Sequence, residues 1–99
     1  MKKSENENLD FLFQGILTLS NMQECRAFFS DLCTVTELNE MARRLRAAKM
    51  LSENYVYNTV AEQTGLSTAT ISRVNQCLKY GDGGYHNVLE TLERLSRRK

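Results

Sequence analysis

Apolar residues recur along most of the chain at three- and four-residue spacing, which is typical of amphipathic helices, and no useful stretch alternates as a strand would. Proline is absent and no long glycine-serine linker interrupts the pattern. The predicted stripes are, in chain order, Leu9, Leu12, Phe13 and Ile16; Met22, Cys25, Phe28, Phe29 and Leu32; Leu38, Met41, Leu45 and Ala48; Val60 and Ala61; Ile71, Val74 and Leu78; and Tyr85, Val88, Leu89, Leu92 and Leu95. The pattern predicts an all-α protein of about six helices, and the 99 residues predict a single domain over 1–99.

Helix boundaries are indicated by capping boxes and by glycine. Two residue pairs have the spacing of a capping box: Ser20 with Gln23, and Thr34 with Glu37. In a capping box the hydroxyl accepts a backbone N–H of the first helical turn, and the side chain three residues later accepts the N–H of the capping residue. The second box opens the longest predicted helix, from Val35 to Glu53. The glycine run 81–84 predicts a break before the last helix, whose basic end suits the negative pole of its dipole.

The segment 59–78, TVAEQTGLSTATISRVNQCL, meets the separate requirements of a helix-turn-helix. Ala61 is small where a second helix must approach closely, and Gly65 supplies the positive φ of the turn. Leu66 fills the corner, and Ser67 can cap the second helix by accepting a backbone N–H. The motif is therefore predicted at about residues 58–79.

The outward side of the second helix carries short or polar residues: Thr68, Ala69, Ser72, Arg73, Asn75 and Gln76. A helix lying in a major groove about 12 Å wide needs such side chains. The pattern thus predicts binding to double-stranded DNA. A plain structural hairpin of two helices is the alternative reading of the same residues.

Charge is divided unevenly along the chain, although the net charge is only +1. Residues 1–42 hold three basic and seven acidic residues, a net charge of −4, and residues 43–99 hold ten basic and five acidic residues, a net charge of +5. This split favours nucleic-acid contact by the second half, because phosphate neutralisation by Lys and Arg supplies most non-specific affinity. Ordinary variation of surface charge is the simpler explanation.

Several classes of protein are disfavoured. No run of 18 apolar residues and no signal-like segment after the first lysines is present, so a cytoplasmic location without membrane contact is expected. The cysteines Cys25, Cys33 and Cys77 are scattered and are expected to be small buried apolar side chains. The sequence has one histidine, and it shows neither the spacing of metal ligands nor a nucleophile with a base close to it in sequence. It therefore predicts no enzymatic activity and no metal site.

The order of elements resembles the Trp repressor family, and within it the small YerC/YecD-type Trp repressor-like proteins. The resemblance is carried by LNEMARRLRAAKML (38–51), VAEQTGLSTATISR (60–73) and NQCLKYG (75–81). It covers the chain from about Thr34 to the last helix, and the first helices agree only in type. It implies an intertwined homodimer that acts as a transcriptional regulator and is expected to repress.

The resemblance also implies which residues meet DNA. Thr68, Ala69, Thr70 and Ser72 fall where the family's recognition helix faces the bases, with Ser67 and Arg73 beside them. Hydroxyl side chains bond to either base type, so water-mediated contact and duplex shape are expected to matter; the largely water-mediated Trp repressor complex is a known precedent. Asn58, Thr59, Gln76 and Lys79 are better placed to contact phosphates.

An effector site is the less direct implication. In the family an indole lies between two arginines, and Arg43 and Arg73 are matched to them, with Val74 and Cys77 nearby. A glycine that follows the second arginine in tryptophan-responsive repressors is Val74 here, and its branched side chain would narrow the pocket. No cofactor is expected. An amino acid or another small molecule could be the effector, but the side chain of Val74 argues against tryptophan. The simpler interpretation of Arg43 and Arg73 is a pair of surface cations near DNA.

A second class of function stays open beside DNA binding. A protein-binding adaptor could keep the helix-turn-helix fold without contacting DNA and use the acidic N-terminal half to dock a partner. An acidic residue on the recognition helix distinguishes the two hypotheses. An adaptor would tolerate it, whereas a DNA-binding protein would lose affinity because the new charge repels phosphates.

Overall fold

In its computed structural model, which describes residues 2–98 and the side chains from Glu5 to Arg98, the protein is all-α. Its helices are α1 (Lys2–Ile16), α2 (Met22–Leu32), α3 (Val35–Ser52), α4 (Tyr57–Thr64), α5 (Thr68–Tyr80) and α6 (Gly84–Ser96). Residues 2–98 contain no strand. The predicted six-helix, all-α fold is therefore confirmed.

The chain forms two compact units, and the first runs to Leu38. It contains α1, α2 and the first turn of α3. Phe28 and Phe29 meet edge to face, with ring centroids 5.3 Å apart and an interplanar angle of 82°. Among the side chains described in this unit none is fully buried, and Phe11 and Leu17 are 78% and 84% exposed. This unit therefore offers apolar surface that its own residues leave uncovered.

The helix caps of the first unit confirm one predicted capping box and shift the other. Glu37 Oε1 accepts from Thr34 N–H at 2.8 Å, and Thr34 Oγ1 accepts from Glu37 N–H at 3.0 Å, as predicted. The predicted Ser20 cap was wrong by one residue, because Asn21 Oδ1 accepts from Glu24 N–H at 2.8 Å. Glu24 in turn accepts from the backbone N–H and the hydroxyl of Ser20, and these bonds lower the pKa of its carboxyl.

The second unit, from Asn39 onward, holds the buried side chains in two clusters. The α4–α5 core consists of Ala47, Met50, Val60, Leu66 and Ile71. The α5–α6 core consists of Ala48, Val74 and Leu78, with Tyr85 and Leu89 packed against it. Together the two cores fix α5 between α3, α4 and α6.

The buried face of α3 differs from the predicted stripe. Ala47 and Ala48 are fully buried and Met50 nearly so, whereas Met41 and Leu45 remain partly exposed. Alanine at two successive positions lets the neighbouring helices approach α3 closely, so Ala47 and Ala48, with Met50, form the contact in place of Met41 and Leu45.

Helix α6 is joined to α5 by a tight connection. His86 Nε2 lies 2.7 Å from the carbonyl oxygen of Leu78, and Gly83 adopts a positive φ of 85°. At Gly81 an added Cβ would collide with the backbone carbonyl of Cys77, so only glycine fits there. The C-terminal helix is thereby set directly beside the end of α5.

Two predictions about burial were wrong. Val88, Leu92 and Leu95 are 48–54% exposed, because α6 turns only the side with Tyr85 and Leu89 towards the α5–α6 core. Cys77 is exposed and Cys25 and Cys33 are half-buried, so the cysteines are not core residues. All three are free thiols.

In the part of the chain that the structure describes, none of the helices combines the length and apolar character that a bilayer crossing requires. The single-domain organisation over 1–99 stays a prediction.

Candidate DNA-binding site

The corner between α4 and α5 is closed by hydrogen bonds around Gly65. This residue has a φ of 75°, and its N–H donates to the carbonyl of Ala61 at 2.8 Å. The hydroxyl of Thr64 donates to the Val60 carbonyl at 2.7 Å and accepts from Leu66 N–H at 3.2 Å. Leu66 itself is buried in the α4–α5 core. The turn therefore has the left-handed glycine and the buried leucine that the sequence predicted.

Helix α5 begins at the predicted cap and buries the predicted side. Ser67 Oγ accepts from Thr70 N–H at 3.1 Å. Ile71 is fully inaccessible, and Val74 and Leu78 are buried on the same side of the helix. Because these three residues hold α5 against both cores, the opposite side faces outward.

The ten predicted DNA-binding residues all keep solvent access. Thr59 and Thr70 are half-buried, and the exposed ones are Asn58, Ser67, Thr68, Ala69, Ser72, Arg73, Gln76 and Lys79. Thirteen residues make α5 about 20 Å long. Its outward side thus carries short or polar side chains, and a helix of this size fits a major groove.

The charge of this surface is positive. Helix α5 carries Arg73 and Lys79 and no acidic residue, and α4 carries only Glu62. The positive end of the α5 dipole lies at Ser67, beside Thr68 and Ala69. The two cations and the positive end of the helix dipole therefore favour the approach of phosphate groups to α5.

A cleft of about 380 Å³ opens beside α5, within the second unit. It is lined by Glu40, Arg44, Thr70, Arg73, Val74, Cys77 and Tyr85. Three of the four predicted effector residues, Arg73, Val74 and Cys77, are brought together here. The volume lies in the range of small-molecule sites.

Arg43, the fourth predicted effector residue, does not line the cleft, and Arg44 does. Consecutive residues of a helix point about 100° apart, so only one of the two arginines can share the face of Ala48. Arg44 lies one turn before Ala48 and is paired with Glu40 at 3.8 Å. Sequence reasoning missed Glu40, Arg44 and Tyr85; the four-residue spacing of Arg44 to Ala48 and to Glu40 is the signal that could have found the first two.

A second, larger groove of about 830 Å³ lies between the end of α3 and α6. Its lining mixes apolar Leu89 and Leu92 with acidic and basic side chains, among which Lys49 is bonded to Glu53 at 2.7 Å. Residues 2–98 contain no group of three His, Cys, Asp or Glu side chains with metal-binding geometry. The two grooves and the outward side of α5 are candidate binding surfaces of the second unit.

The fold and this site define a class, the all-α helix-turn-helix proteins. The chain belongs to the Trp repressor family, since residues 7–93 match the family described as Trp repressor protein. It is similar to YerC of Bacillus subtilis (strain 168), an uncharacterized protein, with 45% identity over 91 residues that cover 92% of this chain and 88% of YerC. It is also similar to a TrpR-like protein from Eubacterium eligens of known crystal structure, with 45% identity, a TM-score of 0.87, and coverage of 94% of this chain and 96% of that one. The resemblance seen in the sequence is thereby confirmed.

Proposed function

We propose that this chain is a cytoplasmic, sequence-specific DNA-binding transcriptional regulator that represses as a homodimer and has no enzymatic activity. The observation that carries the proposal is the outward side of α5, which is positively charged, carries short or polar side chains, and is fixed by a closed helix-turn-helix corner. Family membership supports a regulatory role. Thr68, Ala69, Thr70 and Ser72 would face the bases, and Asn58, Thr59, Gln76 and Lys79 the phosphates.

The homodimer is supported by the uncovered side of α6. Val88, Leu92 and Leu95 follow each other at four- and three-residue spacing and stay about half exposed in the single chain. A two-fold axis would place two copies of α5 in successive major grooves, about 34–36 Å apart. The operator would then be close to palindromic.

Thr70→Asp is expected to reduce affinity at least tenfold for duplexes that the wild-type protein enriches from a random 30-base-pair pool. An aspartate in the first turn of α5 suits the helix dipole, so the fold should be kept, but its charge repels nearby phosphates. Asn87→Asp, which makes the same change of charge on α6, is the matched control and should bind like wild type. Fluorescence anisotropy at fixed salt measures both.

The adaptor hypothesis predicts that Thr70→Asp has no effect on function, because α5 would not contact DNA. If the wild-type protein enriches no duplex, or if Thr70→Asp binds the enriched duplex as tightly as the wild type does, direct DNA contact by α5 is refuted. Equal loss in the two variants would point to net charge rather than to the face of α5.

The cleft beside α5 supports a second role, control by a small effector held between Arg73 and Arg44. Tryptophan is expected to leave the unfolding midpoint unchanged, because Val74 contributes a branched side chain to the lining. An amino acid that does bind should stabilise the protein by about 1.4 kcal/mol at ten times its dissociation constant, which is several degrees for a domain of this size. Thermal unfolding across the amino acids, repeated in Arg73→Ala, measures this; a clear upward shift with tryptophan would contradict the steric argument.

A further inference from the structure

Arg43 is an exposed cation on α3 that forms no salt bridge with the carboxylates of residues 5–98. Three pairs of side chains within this range do form salt bridges: Arg44–Glu40, Lys49–Glu53 and Arg97–Glu93. Glu40, the acidic residue one turn before Arg43, is engaged by Arg44 at 3.8 Å. The charge of Arg43 is therefore available to an anionic ligand.

The face of α3 that carries Arg43 leads to the start of α5. Ala47 lies one turn after Arg43 on the same face and is fully buried in the α4–α5 core, which also contains Ile71. Ser67, the N-cap of α5, comes one turn before Ile71. Because helical side chains tilt towards the N-terminus of their helix, the side chain of Arg43 extends away from Ala47 and out of this core.

The direction of α5 relative to α3 follows from the residues that they bring together. Arg44 lines the cleft with Thr70, near the start of α5, whereas Ala48, one turn later on α3, shares the α5–α6 core with Leu78, near the end of α5. Earlier residues of α3 thus lie beside earlier residues of α5. Arg43 is accordingly at the end of this helix pair where α5 begins.

The start of α5 is the part of the helix-turn-helix that would enter the major groove deepest. The sugar-phosphate backbones border that groove on both sides, so elements next to a recognition helix meet phosphates and not bases. An arginine guanidinium can bind two phosphate oxygens through parallel N–H groups. Arg43 therefore combines the charge, the exposure and the place in the fold that a phosphate contact needs.

We propose that Arg43 is a phosphate anchor, whose guanidinium binds the DNA backbone at the edge of the major groove that receives the start of α5. This inference rests on the proposed DNA binding and extends the interface to α3, outside the helix-turn-helix. It also separates the two arginines that the resemblance pairs as effector ligands, because Arg73 lines the cleft and Arg43 faces the duplex. Arg44, which pairs with Glu40 in the cleft, does not share this role.

Arg43→Gln tests the contact, with affinities measured by fluorescence anisotropy for the enriched duplex and for an unselected duplex. Both affinities are expected to fall about tenfold for each bound protomer at roughly 0.1 M salt, because a phosphate contact carries no sequence information. The slope of log affinity against log salt concentration should become shallower by about 0.9 for each bound protomer. Arg43→Lys keeps the charge and should keep the wild-type slope.

Lys49→Gln is the matched control, since it removes the same charge from the same helix about 120° away from Arg43. Lys49 lines the larger groove and is bonded to Glu53, so its replacement should leave the affinity and the salt slope as in the wild type. Circular dichroism with thermal unfolding shows whether each variant is folded. An equal loss in Lys49→Gln, or a loss in Arg43→Gln on the enriched duplex alone, would overturn the phosphate contact.

Failure of this inference can be told apart from failure of the proposed function. If Thr70→Asp loses the enriched duplex but Arg43→Gln binds it as tightly as the wild type does, α5 contacts DNA and α3 does not. If Arg43→Lys loses as much affinity as Arg43→Gln, the positive charge is not what acts, and the inference is again overturned. A wild-type protein that enriches no duplex refutes the proposed function, and the inference with it.

Discussion

Replacing Ile71 with alanine is expected to lower the free energy of unfolding by about 2–5 kcal/mol, enough to remove a large part of the stability of a small domain. Ile71 is fully inaccessible in the α4–α5 core, where it packs with Val60 of α4 and with Leu66 of the corner. Truncation would leave a cavity at the junction on which the position of α5 depends. Urea unfolding followed by circular dichroism measures the change.

The neighbouring variant Ser72→Ala is the matched control. Ser72 is exposed one residue further along α5, and its replacement should change the free energy of unfolding by less than about 0.5 kcal/mol. Both variants must be compared at one protein concentration, because self-association would raise the apparent stability. Equal midpoints for Ile71→Ala and Ser72→Ala would show that the corner is not organised around Ile71.

The helix-turn-helix could be predicted from the sequence because each of its requirements is local. The positive φ at Gly65 and the cap at Ser67 depend on residues within one or two turns, and the burial of Ile71 follows from the three- and four-residue spacing of the apolar residues of α5. The Thr34 capping box was predictable for the same reason. Features that short-range sterics and hydrogen bonds decide are visible in the order of residues alone.

The features that were missed depend on the rotation of a helix against its neighbours. Arg43 and Arg44 are equivalent as residue types, and Arg44 reaches the cleft because it lies one turn before Ala48, which packs with Val74 of the cleft lining. On α6 the leucines form one continuous apolar stripe in the sequence, yet only Leu89 packs against the α5–α6 core. Tertiary packing determines how each helix is rotated about its own axis. The spacing of apolar residues predicts that rotation only to within about one residue.

The proposed homodimer gives the exposed part of that stripe a role. The α5–α6 core covers only one side of α6 and leaves Val88, Leu92 and Leu95 about half exposed to water. Burying the rest of these side chains would lower the free energy further. Leu92 lies between Val88 and Leu95 in the stripe and also lines the larger groove. A second copy that covers α6 would complete the α5–α6 region without altering α5.

Leu92→Glu is therefore expected to convert the dimer to a monomer at micromolar concentration. An unpaired carboxylate in a covered apolar contact costs at least about 3 kcal/mol, and two-fold symmetry counts it twice, so the dissociation constant should rise by roughly 10⁴-fold. Asn87→Glu adds the same charge about 140° further round α6 and should remain dimeric. Sedimentation equilibrium of the three proteins decides the matter: a wild-type monomer, or an unchanged dimer in Leu92→Glu, would exclude this face of α6 as the dimer contact. Because Leu92 lies outside both buried cores, loss of the dimer with helix content intact would assign the effect to association rather than to folding.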